Sequence, residues 1–259
     1  MKNIIKAEFL KLRKDRFCSI LFLVFLIVGA WTVSSSMGIS PDGKKYAGDN
    51  AVTALALVPF IIQFFLCAFV PHACGADFKD KTYNYEIMSG HTRAEVYFGK
   101  VIAVIITGTL ISIVLFAACI GVSAIGTDGW GDSVQLSDIL MKIFIMMFCF
   151  IRIICVYIFL TYIIKNMYAV VIIGFVFSIL FSVYAEVTSR SKYILGIINL
   201  KAVNTFDAWC TFTVKGDKYS TFDLSISSEL ATGTIIYSLI AGCLVLLLGY
   251  AFFRHDDMN

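Results

Sequence analysis

Residues 52–74 read VTALALVPFIIQFFLCAFVPHAC, a run without Asp, Glu, Lys or Arg in which His72 is the one basic side chain. A bilayer crossing takes roughly 20 predominantly apolar residues, so this run is long enough to make one. Working outward, a similar run at residues 17–37 precedes it, and others follow at 101–125, 139–164, 167–185 and 231–253. A tight Lys165-Asn166 break parts the fourth run from the fifth, and the last ends at Arg254-His255-Asp256-Asp257. The expected fold is an all-α integral membrane protein with six transmembrane helices.

Composition agrees. Of 259 residues, 59% are hydrophobic and 15% charged, and the mean hydropathy is +0.85. A soluble domain carries about 25% charged residues. A soluble globular enzyme is therefore excluded, and six spans leave little length for a separate catalytic domain. The net charge of +3 is modest and gives no support to nucleic-acid binding. The first run is longer than the roughly 7–15 residue core of a signal peptide and is read as a retained span.

Orientation follows from the basic residues. Lys2, Lys6, Lys11, Arg13, Lys14 and Arg16 precede the first span, and Lys79, Lys81, Arg93 and Lys100 follow the second. Both segments belong in the cytoplasm, which places both termini there. Residues 126–138 hold Asp128, Asp132 and Asp138 but no Lys or Arg, as suits the outside, whereas residues 186–230 carry five basic residues against that pattern. Ile5, Phe9 and Leu12 recur at helical spacing, so residues 1–16 form either an interfacial helix anchored through Lys6, Lys11, Arg13 and Lys14 or a plain basic topology signal.

Seven of the eight cysteines (Cys18, Cys67, Cys74, Cys119, Cys149, Cys155, Cys243) fall in apolar spans and read as small packing residues. Cys210 alone lies in the long outer loop. No Cys/His spacing forms a metal site.

Residues 77–100 are the most informative connection, since 24 residues exceed what neighbouring helices need. Tyr85, Ile87 and Met88 interleave with charge, Ser89-Gly90 interrupts, and Thr92-Arg93-Ala94-Glu95 has the capping-box pattern. The expectation is a short helix, a break, and a helix running into the third span. Such a helix is a handle by which a soluble partner could move the spans, and a solvated charged hairpin is the plainer reading.

The stretches Phe78-Lys79-Asp80-Lys81-Thr82, Met88-Ser89-Gly90-His91-Thr92-Arg93 and Val96-Tyr97-Phe98-Gly99-Lys100 resemble the segment joining spans two and three in ABC-2 permeases. The opening Ala7-Glu8-Phe9-Leu10-Lys11-Leu12-Arg13 is similar to the start of those subunits, and bacterial antibiotic-peptide export and lantibiotic immunity permeases look alike. The resemblance implies a permease that pairs with itself or a second permease and with a separate cytoplasmic ABC ATPase. ATP and Mg²⁺ would then sit in that partner, with no cofactor in this chain. It further implies that residues 77–100 couple the two, through Lys81, Thr82, Tyr85, Met88, Gly90, Arg93 and Tyr97.

The nearest approach to a phosphate loop, residues 38–45, lacks the Ser/Thr that would ligate Mg²⁺, follows no strand and falls outside the cell. In mid-span, Arg152 is costly and should face protein or water, either as a polar point in a path or dimer interface, or bonded to carbonyls or to Glu186. Lys142 should snorkel or pair with Asp138. Gly174, Ser178 and Ser182 make a small-residue stripe for helix packing. In residues 186–230, Tyr193, Ile194, Phe206, Trp209 and Phe212 belong at the membrane interface, and the resemblance implies re-entrant helices there. Residues 212–214 and 219–226 flank a plausible hairpin turn.

An intramembrane enzyme would need gathered nucleophiles or ligands, and His72, His91 and His255 are scattered. An ion-driven transporter usually keeps mid-span acids, and the six runs contain none. A sensor or assembly subunit would look the same as a permease.

Overall fold

The computed structural model describes residues 2–35, 46–79, 82–125, 127–131, 135–189, 214–215, 221–222 and 228–255. Its helices are α1 (Lys2–Lys14), α2 (Arg16–Ser35), α3 (Ala47–Lys79), α4 (Thr82–Met88), α5 (Arg93–Ser123), α6 (Leu136–Ile164), α7 (Met167–Ser189) and α8 (Ser228–His255). Two short antiparallel strands, β1 (Val214–Lys215) and β2 (Thr221–Phe222), pair Val214 with Phe222 and Lys215 with Thr221, as a hairpin in that region requires.

Five helical segments are long and apolar enough to cross a membrane: Arg16–Ser35, Ala47–Phe78, Arg93–Ser123, Leu136–Ile164 and Ala231–Arg254. The fifth run of the sequence is the 23-residue α7, whose described apolar part is Met167–Phe177. The outer faces suit lipid. On α2, Ile20, Leu23, Ile27 and Trp31 are exposed, and on α8 so are Ile236, Ile240, Leu244 and Leu247. Contiguous apolar surface of this kind is a liability in water and is what hydrocarbon requires of a spanning helix.

The middle of the bundle is α3, which packs against α2, α5, α6 and α7, while α8 lies along α6. Leu55, Val58, Ile62, Phe65, Leu66 and Phe69 are fully buried along one face of α3, and Cys67, Val70 and Cys74 are buried on the adjoining face, which identifies it as a core helix. Gly108 lets α5 approach Ile154 of α6 so closely that a Cβ would sit 2.9 Å from its side chain.

Local chemistry sets the breaks. Between α1 and α2, Asp15 Oδ1 accepts from the Phe17 N–H at 2.9 Å and starts the new helix. The α4–α5 turn uses Gly90 at φ +97, a conformation that L side chains rarely adopt. Thr92 then caps α5 with both halves of a capping box: its Oγ1 accepts from the Glu95 N–H, and Glu95 Oε2 accepts from the Thr92 N–H, each at 3.2 Å. Lys165 adopts φ 55 to close α6, and the Asn166 side chain accepts from the Tyr168 N–H at 3.1 Å to open α7.

One helix runs past its expected bound: α3 continues beyond residue 74 to Lys79. α5 begins at Arg93 behind the Thr92 capping box and runs on into the third apolar run, as that pattern predicts. Residues 38–45 and 190–213, including Cys210, lie outside the described residues, as do Lys81 and the side chains of Ser178, Ser182 and Glu186.

Candidate functional site

One end of the bundle gathers the start of α5, the ends of α3, α6 and α8, and both α1 and α4. Two interlocked clusters hold them. The first is ionic. Lys100 of α5 is almost completely buried, and its Nζ donates to Asp77 Oδ2 of α3 at 2.9 Å. The same nitrogen lies 3.1 Å from Glu86 Oε2 of α4, 3.6 Å from Glu8 Oε1 of α1, and 3.9 Å from the centre of the Tyr83 ring. Lys11 of α1 donates to the other Asp77 oxygen and stands 3.8 Å from Glu8 Oε2.

Two ammonium groups therefore face three carboxylates, with Lys100, Asp77 and Glu8 buried and Lys11 and Glu86 reaching the surface. Burial is the largest influence on Glu8 and raises its pKa, with Asp77 and Glu86 adding to the rise and Lys100 opposing it. For Lys11, burial works to lower the pKa but Asp77 and the other acids prevail, and the net shift is upward. The cluster joins four helices through long-range pairs, and α1 seats by packing Ile4 where a Cβ on Gly99 would come within 2.9 Å.

The second cluster is aromatic. Tyr83 of α4 shares a 2.7 Å hydroxyl–hydroxyl hydrogen bond with Tyr162 of α6. Tyr97 packs on Tyr162, Tyr250 and Phe253, with ring centroids 4.7, 5.6 and 5.7 Å away, and its hydroxyl donates to the Leu246 carbonyl of α8 at 2.9 Å. Burial pushes the Tyr83 hydroxyl well above the usual phenol range, so it remains a neutral hydrogen-bonding group. Arg93 Nη1 donates to the Arg254 carbonyl at 2.9 Å, tying α5 to the last turn of α8.

The residues singled out in the sequence separate into two kinds. Tyr85 and Met88 project from α4 with relative exposures of 69% and 83%, Thr82 opens α4, and Gly90 makes the turn. Tyr97, in contrast, is wholly buried and acts through packing. In α1, Lys6, Arg13 and Lys14 are exposed, whereas Lys11 is committed to Asp77. The buried face of α1 is Ile4, Glu8 and Leu12, one residue round from the expected Ile5 and Phe9, which are half-buried. Lys142, expected to snorkel or to pair with Asp138, is buried at 3% exposure.

Glu8, Asp77, Lys100, Tyr83 and Tyr162 carry the site and were not picked out by sequence reasoning. The available signal was Lys100 set among Tyr97, Phe98, Val101 and Ile102, one helical register away from solvent.

Two further polar groups stand apart. His72 Nε2 is 2.6 Å from Asp15 Oδ2, and Cys18 Sγ donates to the same carboxylate at 3.4 Å. Asp15, Cys18 and His72 thus bring one potential metal-ligand atom each within 4.8 Å of one another. Their hydrogen bonds already account for the arrangement, and despite partial burial they hold the Asp15 pKa below the usual carboxylate value. In mid-helix α6, the Arg152 guanidinium lies 5.3 Å from the Tyr237 ring centre of α8. Its Nη1 is buried without a hydrogen-bond partner among the described residues, as is Ser238 Oγ beside Tyr237. The seven described cysteines are free thiols, six buried and Cys243 exposed.

Residues 4–181 match the family model described as ABC-2 family transporter protein. No curated protein matches the chain.

Proposed function

This chain belongs to the ABC-2 transporter family, and we propose that it is the transmembrane permease subunit of an ATP-driven exporter in a bacterial plasma membrane. A separate cytoplasmic ABC ATPase binds ATP and Mg²⁺ and docks on the α4 end. The cargo class is an amphipathic compound such as a peptide antibiotic or a lipid-like molecule, and the permease works as a dimer. Both termini and α4 face the cytoplasm, following the basic residues before α2 and after α3, and α7 makes the sixth crossing.

The observation that carries this reading is the two-sided character of α4. Its outer side offers Tyr85 and Met88, large apolar side chains on a seven-residue helix, while its inner side is tied through Tyr83 and Glu86 to α5 and α6. A partner that displaces α4 must therefore move Lys100 and Tyr162, and with them α1, α3 and α8. A contiguous chain of hydrogen bonds, ion pairs and packed rings of this sort can carry a push across a packed bundle. Arg152, with donor capacity between α6 and α8, serves as a polar point in the export path or the dimer interface.

The test uses Tyr85→Ala with Met88→Ala in the full complex. Membrane insertion is expected to persist, while co-purification of the ATPase and transport-stimulated ATP hydrolysis fall at least tenfold. Unchanged association and coupling would remove α4 as the docking element.

A further inference from the structure

A groove of about 400 Å³ opens between α1, α2 and α5. Its walls are Phe9 of α1, Phe22 of α2, and Leu110 and Val114 of α5, and Arg13 is its one charged lining residue. Two hydroxyls also line it, but Ser19 Oγ donates to the Asp15 carbonyl at 3.1 Å and Thr107 Oγ1 to the Ala103 carbonyl at 2.8 Å. Their protons are spent on their own backbones. The groove is thus an apolar slot with a guanidinium at one end.

Helices α2 and α5 are membrane spans by length and composition, so the medium that meets this slot is lipid, not water. The charge around Arg13 is of one sign: Lys6, two turns back on the same face of α1, and the adjoining Lys14 and Arg16 are exposed, whereas Asp15 is engaged by His72. Among the described residues no carboxylate pairs with Arg13. An Arg fork matches phosphate oxygens, and basic groups at the foot of spans select anionic headgroups over zwitterionic ones.

We propose that this groove binds one anionic phospholipid, with an acyl chain between α2 and α5 and the phosphate on Arg13. Phe9, Leu12 and Arg13 belong to the same helix that supplies Glu8 and Lys11 to the ionic cluster, with Leu12 one turn on from Glu8 along the buried face of α1. A seated lipid therefore clamps α1 between the bilayer and α5. Resting on the exporter reading, this makes the lipid a regulator of coupling; the binding itself does not depend on that reading.

Native mass spectrometry of the full chain, delipidated and then titrated with dioleoyl phosphatidylglycerol or dioleoyl phosphatidylcholine, tests the site. The expected result is one tightly retained phosphatidylglycerol, held at least fivefold more strongly than phosphatidylcholine. Arg13→Gln should reduce retention to the phosphatidylcholine level, Arg13→Lys should restore part of it, and Leu110→Trp, which fills the slot, should weaken both lipids. Lys165→Asn, at the α6–α7 turn and not part of the groove lining, should change retention less than twofold. Equal retention of the two lipids, or a phosphatidylglycerol preference that survives both Arg13→Gln and Leu110→Trp in folded protein, would overturn the proposal. Loss of lipid with ATPase co-purification intact separates this site from α4 docking, and loss of docking with lipid retained does the converse.

Discussion

Lys100 and Arg152 are both cations on apolar helices, yet their surroundings differ completely. Lys100 meets Asp77, Glu8 and Glu86 and lies against the Tyr83 ring. Arg152 meets one ring, that of Tyr237, and keeps a buried nitrogen without a hydrogen-bond partner among the described residues. A cation compensated on every side belongs to a joint, and replacing it should break the fold locally. An under-compensated cation costs stability where it stands, and the proposed function gives that cost a reason.

The largest expected effect follows from removing the compensated charge. Lys100→Met leaves Asp77, Glu8 and Glu86 facing one another around the single Lys11, and breaking a buried ion pair from one side costs about 3–5 kcal/mol. The thermal transition in detergent should drop sharply and α1 should lose hydrogen-exchange protection. A variant that melts with the wild type would show that the cluster does not hold the helices together.

Arg152→Leu should move stability the other way. The unpaired group is lost, so the melting temperature is expected to hold or rise while transport falls, measured with ATPase association intact. A strongly destabilised Arg152→Leu protein with normal residual transport would erase the distinction between the two cations.

A smaller effect is expected at the turn that sets α4 against α5. Nothing lies within 4 Å of a Cβ on Gly90, so the penalty of Gly90→Ala is conformational, arising from φ +97. Left-handed backbone costs a non-glycine residue about 1–2 kcal/mol. The variant should fold and insert but couple ATP hydrolysis to transport less tightly, which paired ATPase and transport assays would read.

The smallest and most specific test is pH. Burial raises the Glu8 pKa, so the folded state holds that proton more firmly than the unfolded chain does. Its contribution to α1 docking is full below the ordinary carboxyl range and is lost as pH rises through the raised value. The Asp15–His72 link has the opposite sign, since Asp15 is depressed: its contribution is present above the ordinary carboxylate value and lost as pH falls through the lowered one. Above the ordinary carboxylate range, where the Asp15 contribution is already full, exchange protection of α1, corrected for intrinsic rates, should therefore weaken with rising pH in the wild type and stay level in Glu8→Gln. A wild-type slope that persists in Glu8→Gln would assign the titration to another group.

Much of this was legible in the residues. The apolar runs mark the helices, Ser89-Gly90 and Thr92 to Glu95 mark the break and cap before α5, and Lys165-Asn166 marks the bend into α7. Those signals are local: a backbone conformation or a cap depends on residues within one turn. The ionic cluster is not local. Lys11 and Asp77 stand 66 positions apart, and Asp77 and Lys100 stand 23 apart. Each reads alone as the charge that ends a span, so α3 is expected to stop at residue 74 and Lys11 to face the membrane surface. Likewise Tyr97 has the composition of an exposed coupling residue, and only its place between α6 and α8 makes it core.

The central claim is that α4 is where the ATPase meets this permease. A photo-crosslinking amino acid at Met88, illuminated in native membranes, addresses it directly, with the same probe at Trp31, toward the opposite end of exposed helix α2, as the reference. The account predicts a covalent adduct between the Met88 position and a nucleotide-binding subunit, and none from Trp31. Capture of that subunit at Trp31 and not at Met88, or no capture at either from membranes with active transport, would contradict it.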